Sequence, residues 1–269
     1  MRRLIIGFAV VLLVALAVPT LPAGAQATTA VYAVHGLNLD GQSSPGAGGT
    51  AVTVCAGTSE IAADFQFGQI IGPLELPTGT EVSLQVYVGA EDCATADPAG
   101  ALIDQSVTPT GEAVALVATS NGEQLAPELL PIPLDLSCVP PGSGGAVAVH
   151  AANAPLVDVV NTTLGASVGE ISYGQQIAGA LPAGEYGVEV YVVGGPPDPA
   201  MSFQITVSDG AVTIGYAVGN QPGEGTTPLV LIPQVIDVET CEVPPPTAPP
   251  ATSPPSSAAP ATAAPTFTG

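Results

Sequence analysis

Two histidines, four cysteines and 23 carboxylates are the side chains in this sequence with chemistry to offer. His35 and His150 end two similar segments, Val31-Tyr32-Ala33-Val34-His35 and Val147-Ala148-Val149-His150. An imidazole can act as a base or a metal ligand near neutral pH, but a metal centre needs several donors together. Each histidine stands singly, with no second His or Cys nearby in sequence. Both are therefore expected to be structural residues that bond a loop, with Asp158 the expected partner of His150.

Other patterns offer less. Gly165-Ala166-Ser167-Val168-Gly169 has the GxSxG form of a nucleophile elbow, but that motif works only between a strand and a helix. Here it lies in a Gly-rich turn leading to another expected strand. Glu91, Asp92 and Asp97, or Asp198 in Gly194-Gly195-Pro196-Pro197-Asp198, could lend oxygens to Ca²⁺, which takes six to eight of them. Neither stretch has EF-hand or Asp-x-Asp spacing, so only weak, unspecific cation binding is expected. Asn161-Thr162-Thr163 is a glycosylation sequon and hints at a surface loop. No residue set makes an active site, and no cofactor or metal site is assigned.

The four cysteines lie far apart and lack CxxC or His-rich spacing, so they read as two disulfides rather than a zinc site. Three pairings are possible. Cys55 ends an expected strand and Cys93 follows another in the same half of the chain, which favours Cys55 with Cys93. That leaves Cys138 with Cys241, at equivalent positions near the ends of two repeats.

Charge and the N-terminus bound the setting. The only two basic residues of the 269 are Arg2 and Arg3. They precede the apolar run Leu4 to Val18, then Pro19, Pro22 and small residues through Ala25 and Ala27. That order reads as a secretory signal over residues 1–27. The run, about 15 residues, falls short of the roughly 18 to 20 that span a bilayer. No later segment is long and apolar enough, so no membrane insertion is expected after cleavage. The remainder has no Lys or Arg to neutralise phosphates, which excludes nucleic acid and attraction to anionic lipid. Disulfides fit the same exported setting.

From residue 28, short Val-rich runs alternate with Gly, Pro, Thr and Asp turns, and no capped 3.6-residue period follows the signal. Two repeats are legible. Phe67-Gly68-Gln69, then Leu76-Pro77-Thr78-Gly79, returns as Tyr173-Gly174-Gln175, then Leu181-Pro182-Ala183-Gly184. Gln85-Val86-Tyr87-Val88 returns as Glu189-Val190-Tyr191-Val192, and Leu134-Asp135-Leu136 as Ile236-Asp237-Val238. The repeats span 28–138 and 146–241, joined by a Pro/Gly/Ser linker at 139–145. In the first, seven strands are expected near 31–36, 50–56, 62–67, 80–89, 101–108, 112–119 and 128–136. The expected fold is all-β: two tandem Greek-key β-sandwiches of immunoglobulin-like architecture, a small barrel being the alternative. With few aromatics and no Trp, Val, Leu and Ile are expected to fill thin cores. Residues 242–269, almost all Pro, Ala, Ser and Thr, read as a disordered stalk.

The segment Val149-His150-Ala151-Ala152-Asn153-Ala154-Pro155-Leu156-Val157-Asp158-Val159, with Tyr173-Gly174-Gln175 and Leu181-Pro182-Ala183-Gly184-Glu185-Tyr186, resembles the domain of unknown function 4397 (DUF4397). Two tandem copies are read, the second the clearer. In the first, Gly36 to Gly49 replaces the Ala-Pro-x-Val-Asp segment. The resemblance implies secreted or cell-surface β-sandwich modules without established activity. The expected function is a non-catalytic secreted or cell-envelope module for structure or interaction, with an unnamed extracellular partner. The alternative is a secreted ligand- or carbohydrate-binding protein, assisted by Ca²⁺, although six Tyr and five Phe leave little aromatic surface for sugars.

Overall fold

The computed structural model describes residues 27–39, 45, 50–121, 126–220 and 229–242. The expected signal (but for Ala27), most of the Gly36–Gly49 insertion and the expected tail beyond Glu242 lie outside the described residues. Within them the chain is β throughout, and the one helical element is a 3₁₀ turn at Pro98–Gly100. Among the described residues, no helix is long and apolar enough to cross a membrane.

The first sandwich consists of β1 (Thr28–His35), β2 (Val52–Ala56), β3 (Ser59–Phe65), β4 (Ile70–Pro77), β5 (Val82–Val88), β6 (Ile103–Val107), β7 (Ala113–Asn121) and β8 (Ala126–Leu134). The second repeats it with β9 (Ser143–His150), β10 (Val157–Asn161), β11 (Ala166–Ile171), β12 (Gln176–Pro182), β13 (Gly184–Val192), β14 (Met201–Val207), β15 (Ala211–Val218) and β16 (Val230–Asp237). Each has eight strands where sequence predicts seven. The missed strand is β4, whose Ile-Ile-Gly-Pro-Leu-Glu-Leu-Pro reads as turn. Pro is tolerated there because β4 is the edge of its sheet, and the pairing with β1 is bulged between Val31 and Ala33.

The sheets run β4-β1-β7-β8 and β3-β2-β5-β6, and in the second unit β12-β9-β15-β16 and β11-β10-β13-β14. In each, the fifth strand returns beside the second, which is the Greek-key return. The first strand pairs parallel with the seventh, β1 with β7 and β9 with β15.

The sheets β4-β1-β7-β8 and β12-β9-β15-β16 are apolar on both faces. Val114, Leu116 and Ala118 of β7 join Val54 and Val86 in the core of the first sandwich. Ala113, Ala115 and Val117, one residue out of phase, face the other way. There they share a core with Val212, Ile214 and Tyr216 of the second unit. The two sandwiches therefore stack sheet upon sheet into four layers, with an inter-unit core between the middle two. Aromatics enter it after all, Tyr32 and the fully buried Tyr216 among them. Tyr216 is accommodated because its hydroxyl donates to Gln234 Oε1 at 2.7 Å. The outer sheets keep the polar-out alternation of one-sided burial. Val188 and Val190 of β13 point in, while Glu189 and Tyr191 bond each other on the outside at 2.5 Å.

Candidate functional site

The repeated histidines mark one local device used twice. His35 N donates to Gln69 O at 3.0 Å and Gly68 N donates to His35 O at 2.8 Å. His150 does the same with Gln175 O at 2.9 Å and Gly174 N at 2.8 Å. The turn that closes on each histidine is held by its own glutamine: Gln69 Oε1 accepts from Gln66 N, and Gln175 Oε1 from Ser172 N. Gly68 (φ 82°) and Gly174 (φ 78°) adopt the left-handed backbone this turn requires. The Phe/Tyr-Gly-Gln motif is thus a clasp on the end of the first strand of each unit.

Both imidazoles are buried, 1 % and 2 % exposed. His150 shares a hydrogen bond with Pro155 O through Nε2, 2.9 Å, while its Nδ1 has no partner. The expected bond to a loop therefore exists for His150, but its partner is not Asp158. Val157 and Val159 point into the core, so Asp158 between them must face outward. There its carboxylate accepts from Ser167 Oγ at 2.5 Å. His35 departs further: neither ring nitrogen has a hydrogen-bond partner. Its ring lies edge-on to Phe65 and Phe67, at 5.4 and 6.4 Å. Burial pushes its pKa down to about 4, and burial likewise lowers that of His150, resisted by the Pro155 and Ala154 carbonyls. Both rings are neutral at neutral pH and shut away from solvent, an arrangement suited to packing and not to proton transfer.

The cysteines pair as Cys55–Cys93 and Cys138–Cys241, with Cα atoms 5.6 and 5.0 Å apart. The first bond lies on the outer face of sheet β3-β2-β5-β6. It pins the loop after β5 down with Tyr87, Ala96 and Ala101. The second joins the last residues of the two units. Beside it, Val139 N donates to Glu239 O at 3.0 Å and Cys241 N to Val139 O at 2.8 Å. The segment expected as a linker is thus tied to the end of the second unit at its first residue.

The remaining sequence candidates are absorbed by structure. Ser167 lies in β11, directly after the hairpin from β10, and no helix follows it. Asp92 Oδ1 accepts from Ala94 N, and Asp97 Oδ1 from Ala99 N as cap of the 3₁₀ turn. Among the described residues no three His, Cys, Asp or Glu side chains are placed to hold a metal ion. Asn161 is not a surface acceptor: it is 4 % exposed and its Oδ1 takes the Leu164 N–H at 3.0 Å, closing the β10–β11 turn.

What sequence reasoning missed is the seam between the units. Thr119 Oγ1 donates to Ala151 O at 2.6 Å, Gln176 Nε2 to Pro133 O at 2.6 Å, and the Tyr173 hydroxyl to Glu128 Oε1. Burial and the Glu128 carboxylate together raise the Tyr173 pKa, keeping the phenol protonated as a donor. Gly36 is required by close approach: a Cβ there would meet Val218 of the other unit at 2.8 Å. The signal was present, since β7 and β15 read as nearly unbroken apolar runs, the mark of a strand covered on both faces.

A family model described as "Domain of unknown function (DUF4397)" matches residues 42–160, from the segment between β1 and β2 into β10. This single match falls mainly on the first unit, and a second copy is not matched, although the motif residues resemble the family more clearly in the second unit. No curated protein matches the chain. Among solved structures, the chain is similar to "The Bacillus anthracis TIE protein" at 12% identity and a TM-score of 0.22, over 72% of this chain and 34% of that one. It thus spans about a third of that protein's length. It is also similar to a "putative cell adhesion protein" from Bacteroides ovatus, at 9% identity and a TM-score of 0.23, over 81% of this chain and 100% of that chain. A protein of the same description from Parabacteroides distasonis gives 9% identity and 0.23, over 82% and 99%. Likenesses this loose transfer neither topology nor role.

Proposed function

We propose that the chain is a non-catalytic, exported module of the cell envelope that serves structure or interaction. The observation that carries this reading is the seam. Two sandwiches share one buried core and are bonded end to end by Cys138–Cys241, which makes a stiff block rather than two tethered domains. Stable disulfides belong to oxidising compartments outside the cytosol. Rigidity without a convergent set of reactive side chains suits a spacer or a presenting surface better than an enzyme.

In this reading residues 1–27 direct export, residues 28–138 and 146–241 are two copies of one domain, and residues 242–269 form a stalk. The acidic surface, with no lysine or arginine beyond Arg3, keeps such blocks apart by repulsion and suits a salty or cation-rich exterior.

Fractionation of cells expressing the full chain tests the reading. It expects the protein in the envelope fraction, cleaved near Ala25 or Ala27 by N-terminal sequencing. Protein found wholly free in the medium removes the envelope role, and protein retained uncleaved in the cytosol removes export as well.

A further inference from the structure

The two sandwiches share a strand order but not a core volume. In the first, Val31 of β1 lies opposite Leu74 on one side and Val114 on the other, and Ala33 lies beside Leu116. The same places in the second hold Ala146, Gly179 and Thr213, and Ala148 beside Gly215. Four changes, Val31 to Ala146, Leu74 to Gly179, Val114 to Thr213 and Leu116 to Gly215, thus take side-chain volume from one end of the second core. A polar-edged pocket of about 150 Å³ opens at the margin of the first sandwich beside Gln105, Ser106 and Thr108, but the void around Val31 and Leu74 is about 30 Å³. In the second it is about 240 Å³, between sheets β12-β9-β15-β16 and β11-β10-β13-β14.

We propose that this cavity is a binding site for a neutral aliphatic molecule, a single alkyl chain without an anionic head. Its inner wall is apolar, with Ile177, Val188, Phe203 and Ile205. Each polar side chain lining it makes a hydrogen bond within the fold. Asn161 Oδ1 accepts from Leu164 N, Thr213 Oγ1 donates to Thr206 O at 2.8 Å, and Ser167 Oγ donates to Asp158. An enclosed apolar cavity of about 150 Å³ stays dry and takes up benzene. This larger one is open at one end, at the exposed Leu164, Val168 and Gly179. Its apolar inner wall favours an apolar guest that can enter from there. Two sheets pack about 10 Å apart, with side chains filling most of that gap, which leaves a slot one chain thick.

The mouth argues for the same class of guest. The lining reaches the surface at the edge strands β11 and β12 and at the β10–β11 turn, where Val168 and Leu164 are 49 % and 59 % exposed. Exposed apolar side chains contiguous with a mostly apolar pocket fit an entry for an apolar ligand. Charge excludes a carboxylate head. The chain has no Lys or Arg after Arg3 to set against its 23 Asp and Glu, so an anionic head there meets no counter-charge, only the repulsion of a carboxylate-rich molecule.

Calorimetric titration of the purified full chain with 1-octanol tests the site, with octanoate as the charged comparison. Saturable one-to-one binding of 1-octanol is expected, with octanoate weaker by about tenfold or more. Gly179→Leu restores the residue of the first sandwich, and a Cβ there meets nothing within 4 Å. It should raise the melting temperature and weaken 1-octanol binding by about tenfold or more. Ala146→Val, a smaller filling change, should weaken binding in the same direction should Gly179→Leu fail to fold. No saturable heat with 1-octanol, equal binding of octanoate, or undiminished binding in a folded filled variant would each overturn the proposal. These outcomes are independent of where in the cell the chain resides.

Discussion

Thr119 reaches across the seam and donates its hydroxyl proton to the main-chain carbonyl of Ala151, at 2.6 Å and with both residues almost wholly buried. The equivalent contact on the other side places Val218 against Gly36, and Val218 holds in β15 the place of Thr119 in β7. The seam is thus built like a two-fold interface inside one chain, each unit offering the same patch. Only one of its two equivalent contacts is polar.

That polar contact should matter to stability. Thr119→Val keeps the shape and removes the donor, leaving the Ala151 carbonyl buried without it. A loss of about 1–3 kcal/mol is expected, read as a lower denaturant midpoint at unchanged slope. Thr119→Ser keeps the hydroxyl and should lose less.

The two disulfides should differ in weight. Cys138–Cys241 closes a sequence separation of 103 and Cys55–Cys93 one of 38. By loop entropy the longer should stabilise by about 1 kcal/mol more. Denaturant midpoints of the Cys138→Ala/Cys241→Ala and Cys55→Ala/Cys93→Ala pairs give the comparison. Equal losses would mean that native packing at each bond, and not loop length, sets its contribution.

His35 should make the protein acid-sensitive. Its pKa falls from 6.5 to about 4 on folding, so the unfolded chain takes up a proton over a range where the folded one does not. Its contribution is fully present above about pH 6.5 and is lost as pH falls to about 4, on the order of 3 kcal/mol in all. His150, lowered in the same direction, adds to the effect. His35→Phe removes the proton uptake at that site. The difference in unfolding free energy between wild type and variant should therefore change with pH between 7 and 4, and a constant difference would contradict the buried neutral imidazole.

Much of the fold was legible because turns and repeats leave local marks. The Phe67-Gly68-Gln69 and Tyr173-Gly174-Gln175 motifs mark matching places in the two repeats, though nothing in them shows that they close on the histidines, and the placement of the cysteines favours the pairing found. Strand β4 was not legible, since Gly72 and Pro73 read as a turn and only its place at a sheet edge makes them acceptable. Asp158 is not the partner expected for His150, because strand alternation in β10 turns it outward. The cavity escaped notice because it arises from Ala146, Gly179 and Gly215 taken together, three small residues on three strands. None of them is unusual alone.

The seam is the central claim, and calorimetry tests it most directly. A single block should unfold in one transition, with calorimetric and van't Hoff enthalpies in a ratio near one. Two resolved transitions with Cys138–Cys241 intact, each matching one sandwich, would show that the units stand apart and that the shared core around Tyr216 does not hold them together.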